Sequence, residues 1–283
     1  MARFSDKVAI VTGSSSGIGR ATAVLLSTEG AKVTITGRDE ARLEETRQAI
    51  LRAGVPESHV NSVVADIVTS DGQDQLIRST LQQFGKIDIL INNAGAGLPD
   101  ANGKTRTNSG IDTYQKIFQL NLQSVIEMTQ KVRPHLAKTR GEIVNVSSIF
   151  SGPAAQSQLS YYSCAKAALD QYSRNVAIDL IAEGIRVNVV RPGFVETRFP
   201  IVALKVNADE SSKIYNSLGI QSQCIPAGFC GQPEQIASVI AFLADRKASE
   251  YVVGQAITAD GGTSLVLGLQ ASFEESVRQQ SNV

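Results

Sequence analysis

The chain has 283 residues, 42% of them hydrophobic and 19% charged, a balance that suits a globular protein with a large core. Its 27 basic and 27 acidic side chains cancel to a formal charge of zero. That argues against nucleic acid, an anionic membrane or a charged polymer as partner.

In chain order, short apolar runs rich in β-branched residues recur: KVAIV, AKVTIT, VNSVVA, IDILI, EIVNV, IRVNVV and QAITA. Each is apolar on both faces, as in strands buried on both sides of a parallel sheet. Longer stretches between them carry helical spacing. ATAVLLSTEG stops on a glycine, and DEARLEETRQAILRAG opens on acids and closes on Arg52 and Gly54, in accord with the helix dipole. The alternation continues from residue 7 to about 260 without a linker-like break. It predicts an α/β fold: one doubly wound Rossmann domain over 1–283, with a seven-stranded, mostly parallel sheet and helices on both faces. Residues 96–110 read as a loop. Residues 194–231 show little clear periodicity and interrupt the rhythm. The tail, about 266–283, turns from apolar to polar.

The first strand runs straight into TGSSSGIG, Thr12 to Gly19. Glycines in a strand-to-helix turn admit a pyrophosphate, and the helix N-terminus offers amides and a positive dipole. Gly13, Ser15, Ser16, Gly17, Ile18 and Gly19 are therefore candidate cofactor contacts. The spacing is G-x-x-x-G-x-G, and a glycine-rich turn without a ligand is the plainer alternative. The second strand ends TITGRD, with no acid at the place that would bind a ribose 2′-hydroxyl. Arg38 there suits a 2′-phosphate, so NADP(H) is favoured over NAD(H). The plainer alternative is that Arg38 is a solvated arginine opening a helix, and Asp39 could in principle face the ribose. Asp66 and Ile67, after the third strand, are read against the adenine, although a cap is a common job for Asp. In NNAG, Asn92 reads as structural, while Asn93, Ala94 and Gly95 touch the cofactor.

The fifth strand ends NVSS, and fourteen residues after Ser148 stands Tyr162 in YYSCAK. Lys166 lies at i+4 from Tyr162, on the same helix face. A nearby ammonium should lower the phenol's pKa and poise Tyr162 as a proton donor to a carbonyl oxygen, held by a serine hydroxyl. A Tyr/Lys pair of this kind is more often a mere surface contact. Tyr161 should face the core or a neighbouring subunit, and Cys164 reads as a packing residue.

TGSSSGIG, NNAG, NVSS and YSCAK, in this order and at these separations, resemble the short-chain dehydrogenase/reductase family over residues 5 to about 265. The overall pattern looks like the branch of tropinone-reductase-like and related small-ketone reductases. The resemblance implies a catalytic set of Asn121, Ser148, Tyr162 and Lys166, with Lys166 also holding the nicotinamide ribose and Asn121 fixing a proton-relaying water. It further implies that Pro192, Gly193 and Val195 border the nicotinamide, that Thr197 bonds its carboxamide, and that DGG (260–262) belongs to the pattern. The family's usual spacing is thirteen rather than fourteen, so Ser147 or Ser151 stays open as the hydroxyl. An insertion in SGPAAQSQ would account for the extra residue.

The expected activity is hydride transfer between NADP(H) and a small or medium apolar ketone or secondary alcohol. Residues 194–231 form its lid: Phe194, Phe199 and Ile201 are candidate substrate contacts with Ser148 and Tyr162, and Val202, Leu204, Ile214, Tyr215, Leu218 and Phe229 extend the apolar surface. The alternatives are a silent dinucleotide-binding sensor or scaffold, an NAD-dependent dehydrogenase of the same family, and a related epimerase or dehydratase. The resemblance also implies a homotetramer or homodimer. Cys164, Cys224 and Cys230, with His59 and His135, form no cluster, so no metal and no disulfide scaffold are expected. An odd cysteine count, no apolar run near the roughly 18 residues of a membrane span, and no signal-peptide layout in MARFSDKVAIV point to a cytoplasmic protein.

Overall fold

The computed structural model describes residues 2–104, 108–219 and 223–266. Seven strands, β1 (Val8–Val11), β2 (Lys32–Gly37), β3 (Val60–Val64), β4 (Ile89–Asn92), β5 (Glu142–Val146), β6 (Arg186–Pro192) and β7 (Ala256–Ala259), form one sheet of order β3-β2-β1-β4-β5-β6-β7. Every pairing is parallel. The strand order reverses between β1 and β4, which opens a crevice at the carboxyl ends of these strands.

Alternation along the strands builds two cores. Ala9, Val11, Ile89 and Ile91 face one layer, where α1 (Gly17–Thr28), α2 (Glu40–Arg52) and α9 (Pro233–Ala244) contribute Leu26, Leu43 and Ile240. Ile10, Leu90 and Ile143 face the other, packing on Leu76 of α3 (Ser70–Phe84), Val132 of α5 (Ser124–Thr139) and Leu180 of α6 (Ser160–Leu180). Neighbouring strand residues thus point to opposite faces, and both faces of β1, β4 and β5 are buried, whereas β3 and β7 at the sheet edges are partly exposed.

Three connections depart from regular βα alternation. After β4, a loop leads to α4 (Ile111–Phe118), and α4 meets α5 through a π-helical turn, Gln119–Gln123. After β6, residues 194–231 contain α7 (Phe199–Leu204) and α8 (Ala208–Gly219). Helices here were not legible as periodicity, because α7 is only six residues long and opens on Phe199-Pro200. The expected C-terminal tail falls, apart from Val266, outside the described residues. A short α10 (Arg246–Ser249) follows α9.

Candidate active site

The glycine turn is shaped by close backbone contacts. Gly13 adopts φ +63°, and a Cβ there would stand 2.8 Å from Ala94 Cα. A Cβ on Gly19 would sit 2.4 Å from both Asn93 Nδ2 and the Gly13 carbonyl oxygen, so only glycine fits. Thr12 Oγ1 accepts from the Asn93 and Ala94 amides at 3.0 Å each, which ties the turn to the end of β4. Asn93 Nδ2 donates to the Thr12 and Gly13 carbonyls. Ser16 stands at the N-cap of α1 without a side-chain cap bond, and Gly17, Ile18 and Gly19 of the first turn line the cleft. Unpaired amides at a helix start are an anion site.

At the end of β2, Arg38 is exposed, lines the cleft, and makes no side-chain hydrogen bond or ion pair among the described residues. Asp39 is engaged elsewhere: it caps α2 through the Arg42 amide and pairs with the Arg42 guanidinium at 3.0 Å. Asp66 and Ile67 line the same end of the cleft, and Asp66 Oδ1 also accepts from the Val68 amide. Asn92 is buried and donates to Asn145 Oδ1 at 2.8 Å, joining β4 to β5.

The other end of the cleft holds the titratable groups. Tyr162 and Lys166, one turn apart on α6, are both buried. Lys166 Nζ lies 5.7 Å from the Tyr162 ring centroid and donates to the Val146 carbonyl at 2.8 Å. Ser148 and Tyr162 both line the cleft, and the Ser148 side chain eases the upward shift of the Tyr162 phenol. Ser147 Oγ donates to the Lys166 carbonyl at 3.3 Å, and Ser151 Oγ to the Ser148 carbonyl at 2.6 Å. Of the three serines left open by the spacing, Ser147 and Ser148 border the cleft and Ser151 does not. Asn121, in the π-helical turn, is fully buried; its amide donates to the Ala96 and Ile117 carbonyls, and Oδ1 accepts from the Ala96 amide. A Cβ on Gly95 would lie 2.7 Å from Asn121 Oδ1 and 3.0 Å from Lys166 Nζ, so Gly95 keeps this corner clear.

Two expectations about YYSCAK are corrected. Burial pushes the Tyr162 phenol up to about 12, against the partial relief of the Ser148 hydrogen bond, rather than down. Burial brings Lys166 down to about 8, opposed by the charge of Asp170. Desolvation of both groups outweighs their mutual influence. Cys164, expected to pack, is exposed on the outer face of α6. Tyr161 is half-buried, stacks edge-on against Tyr114, and donates to the Ser109 carbonyl at 2.8 Å, so it fastens the loop before α4.

Pro192, Gly193, Val195 and Thr197 border the cleft after β6. Gly193 abuts Asp260, where a Cβ would be 2.7 Å from Asp260 Cα. The cleft, about 530 Å³, continues past Tyr162 between Phe150, Leu159, Phe194, Phe199, Val202 and Leu218. Tyr162 and Phe199 rings are 5.3 Å apart. Ile201 does not line this cleft; it lines a second cavity of about 1000 Å³ behind α7, because two residues along a helix reverse the face. Phe229 is 52% exposed and also lies outside the cleft. Sequence reasoning missed Phe150, Gln156, Gln158 and Leu159, which the cleft includes. The stretch SGPAAQSQ carried the signal for them, as the expected seat of the extra residue between Ser148 and Tyr162.

Residues 13–264 match the family model described as enoyl-(acyl carrier protein) reductase. A 3-oxoacyl-[acyl-carrier-protein] reductase of Synechocystis is 33% identical over 93% of this chain and 98% of its own length. A 7alpha-hydroxysteroid dehydrogenase of Bacteroides fragilis is 32% identical over 94% of this chain and 97% of its own. Among solved structures, a short-chain dehydrogenase/reductase of unknown function from Caenorhabditis elegans, crystallised with cofactor, superposes with a TM-score of 0.93 at 62% identity, covering 95% of this chain and 99% of that one. The apo-form glucose dehydrogenase of Caenorhabditis elegans gives 0.80 at 54% identity, covering 93% and 100%.

Proposed function

The chain belongs to the short-chain dehydrogenase/reductase family, and from that premise we propose that it is an NADP(H)-dependent reductase of small or medium apolar ketones, reversible to the secondary alcohols, with Tyr162 as general acid and base. The observation that carries this reading is the meeting of Ser148, Tyr162, Lys166 and Asn121 at one end of a cleft whose other end is the glycine turn.

The residues present fit a nicotinamide dinucleotide. Gly13 and Gly19 line the cleft with no room for a side chain, and the first turn of α1 offers its amides to a phosphate. Arg38, unpaired beside the ribose position, suits a 2′-phosphate, while Asp39 is held by α2 and Arg42. Lys166 would hold the nicotinamide ribose, and Thr197 the carboxamide. The bound dinucleotide supplies the hydride. Tyr162 gives its phenolic proton to the carbonyl oxygen during reduction; during oxidation it passes that proton to the water relay as it takes one from the alcohol. Ser148 holds the same oxygen by hydrogen bond. Asn121 keeps the β4 end and the π-helical turn in register, from which the proton-relaying water would be held. The walls of Phe150, Leu159, Phe199, Val202 and Leu218 exclude water and favour an apolar substrate body.

In this reading residues 194–231 are the lid of a single catalytic domain. The odd count of three cysteines supports a reducing, cytoplasmic setting. No helix among the described residues is long and apolar enough to cross a membrane. Ile178 and Ile181, 75% and 40% exposed at the end of α6, support a homodimer or homotetramer packed through that helix.

The test is oxidation of NADPH and of NADH, side by side, over a panel of ketones. Turnover of apolar ketones with NADPH well ahead of NADH is expected. Equal rates would sink the role of Arg38, and no turnover with either would sink the reductase.

A further inference from the structure

A pyrophosphate carries two negative charges, and the glycine turn meets them with backbone alone. TGSSSGIG contains no basic residue, and Arg20 just after it is committed. Arg20 donates to Thr46 Oγ1 at 2.9 Å, to the Ser15 carbonyl at 2.7 Å and to Glu45 at 2.8 Å. No cation of the turn is therefore free to face a ligand.

A cation reaches this place from elsewhere in the fold. After β6 the chain returns to the start of α1: a Cβ on Gly17 would meet Thr197 Cγ2 at 3.1 Å. The next residue is Arg198, at the N-cap of α7. It is half-buried and borders the main cleft and the second cavity behind α7, and Ser16 and Gly17 border both as well. Its guanidinium makes no hydrogen bond and no ion pair among the described residues. A half-buried guanidinium without a partner beside a bare anion cradle matches the fork geometry that phosphate oxygens accept.

We infer that Arg198 is a pyrophosphate-binding residue, supplied to the cofactor by the lid rather than by the glycine turn. This rests on the dinucleotide-dependent reading above. Its position gives it a second consequence. Arg198 opens α7, and Phe199, the next residue, packs on the Tyr162 ring. The neighbouring Thr197 is tied to the lid by Tyr215 of α8, whose hydroxyl accepts from the Thr197 amide at 3.3 Å. A dinucleotide phosphate held by Arg198 is thereby linked to the start of the lid.

The experiment is equilibrium binding of NADPH and NADH, followed by the fluorescence of the reduced dinucleotide, to the unsubstituted protein and to Arg198→Met, Arg198→Lys and Arg38→Met. Because pyrophosphate is common to both ligands, Arg198→Met should weaken both by the same factor, about tenfold or more for a charge-assisted contact. Arg198→Lys should recover part of the loss, since it keeps the charge without the fork. Arg38→Met should weaken NADPH alone. Unchanged affinity for both dinucleotides in Arg198→Met would overturn the inference. So would a loss confined to NADPH, or an effect seen only as a raised KM for acidic ketones, which would give Arg198 to the substrate. Tight dinucleotide binding without turnover of any ketone would refute the reductase and leave the Arg198 contact standing. Failure of the unsubstituted protein to bind either dinucleotide would refute both.

Discussion

Tyr162 and Lys166 show how burial sets chemistry at the scale of single side chains. The phenol stands at about 12 and the lysine at about 8, each moved against its charged form by desolvation. The phenol is therefore protonated across the neutral and mildly alkaline range, ready to donate, and Lys166 is the group that titrates there. As pH rises through about 8, Lys166 loses its ammonium and with it the charge proposed to hold the ribose. The value of kcat/KM for the dinucleotide, which reports the free enzyme, should accordingly fall on an alkaline limb near pH 8. Lys166→Met should have a low rate and no such limb; a limb that persisted in that variant would assign it to another group. Tyr162→Phe keeps the ring that packs on Phe199 and removes only the proton donor. It should lower turnover about 10²–10⁴-fold with dinucleotide affinity nearly unchanged. Loss of binding and turnover together, measured by fluorescence titration beside steady-state rates, would make Tyr162 structural instead.

At the scale of elements, the strands and the glycine turn were legible because each obeys a short-range rule. Buried parallel strands are apolar on both faces, and Gly13 and Gly19 stand where backbone atoms come within 2.4–2.8 Å of any Cβ. Asn121 was identified through a resemblance, and its geometry was not legible, because the π-helical turn that buries it depends on packing between α4, α5 and α6. The lid was legible as apolar and illegible in orientation. Phe199 and Ile201 have equal claims in the sequence, yet two residues along α7 reverse the face, and only Phe199 enters the cleft. Cys164 failed for a related reason: an angle around α6 places it on a face but does not say what covers that face. The two lid residues therefore separate by experiment. Phe199→Ala should reorder the preference among ketones of different bulk, while Ile201→Ala should leave that order as it is. Matching shifts in both variants, in kcat/KM across a graded ketone series, would mean that the second cavity communicates with the substrate.

Across the whole molecule the sheet divides its labour between its two ends. The carboxyl ends of β1, β4, β5 and β6 carry the cleft, while the amino ends of β5 and β6 carry a buried ion network. Glu142 and Arg186 are paired across the ladder and bonded at 2.8 Å, and Arg246 reaches Glu142 at 2.8 Å. Arg186, 1% exposed, also donates to the carbonyls of Ser249, Val252 and Leu243, at 2.6, 3.0 and 3.0 Å. One side chain thus fastens β6 to β5, to the end of α9 and to the segment leading into β7. Arg186→Met would leave Glu142 buried with Arg246 as its partner, and the Ser249, Val252 and Leu243 carbonyls with only their other donors, the Val252 amide, Asn188 and Ser249. Breaking a buried pair in this way costs about 3–5 kcal/mol, which for a chain of this size lowers Tm by roughly 10 °C. β6 rises about 3.3 Å per residue, so Arg186 lies roughly 20 Å from Pro192 and the cleft. KM values measured well below the melting point should then match the unsubstituted protein. Arg186→Lys, which keeps the charge and offers fewer donors, should melt between the two. A changed KM for dinucleotide in Arg186→Met at low temperature would mean that the two ends of the sheet are not independent, and that this network positions the site as well as holding the fold.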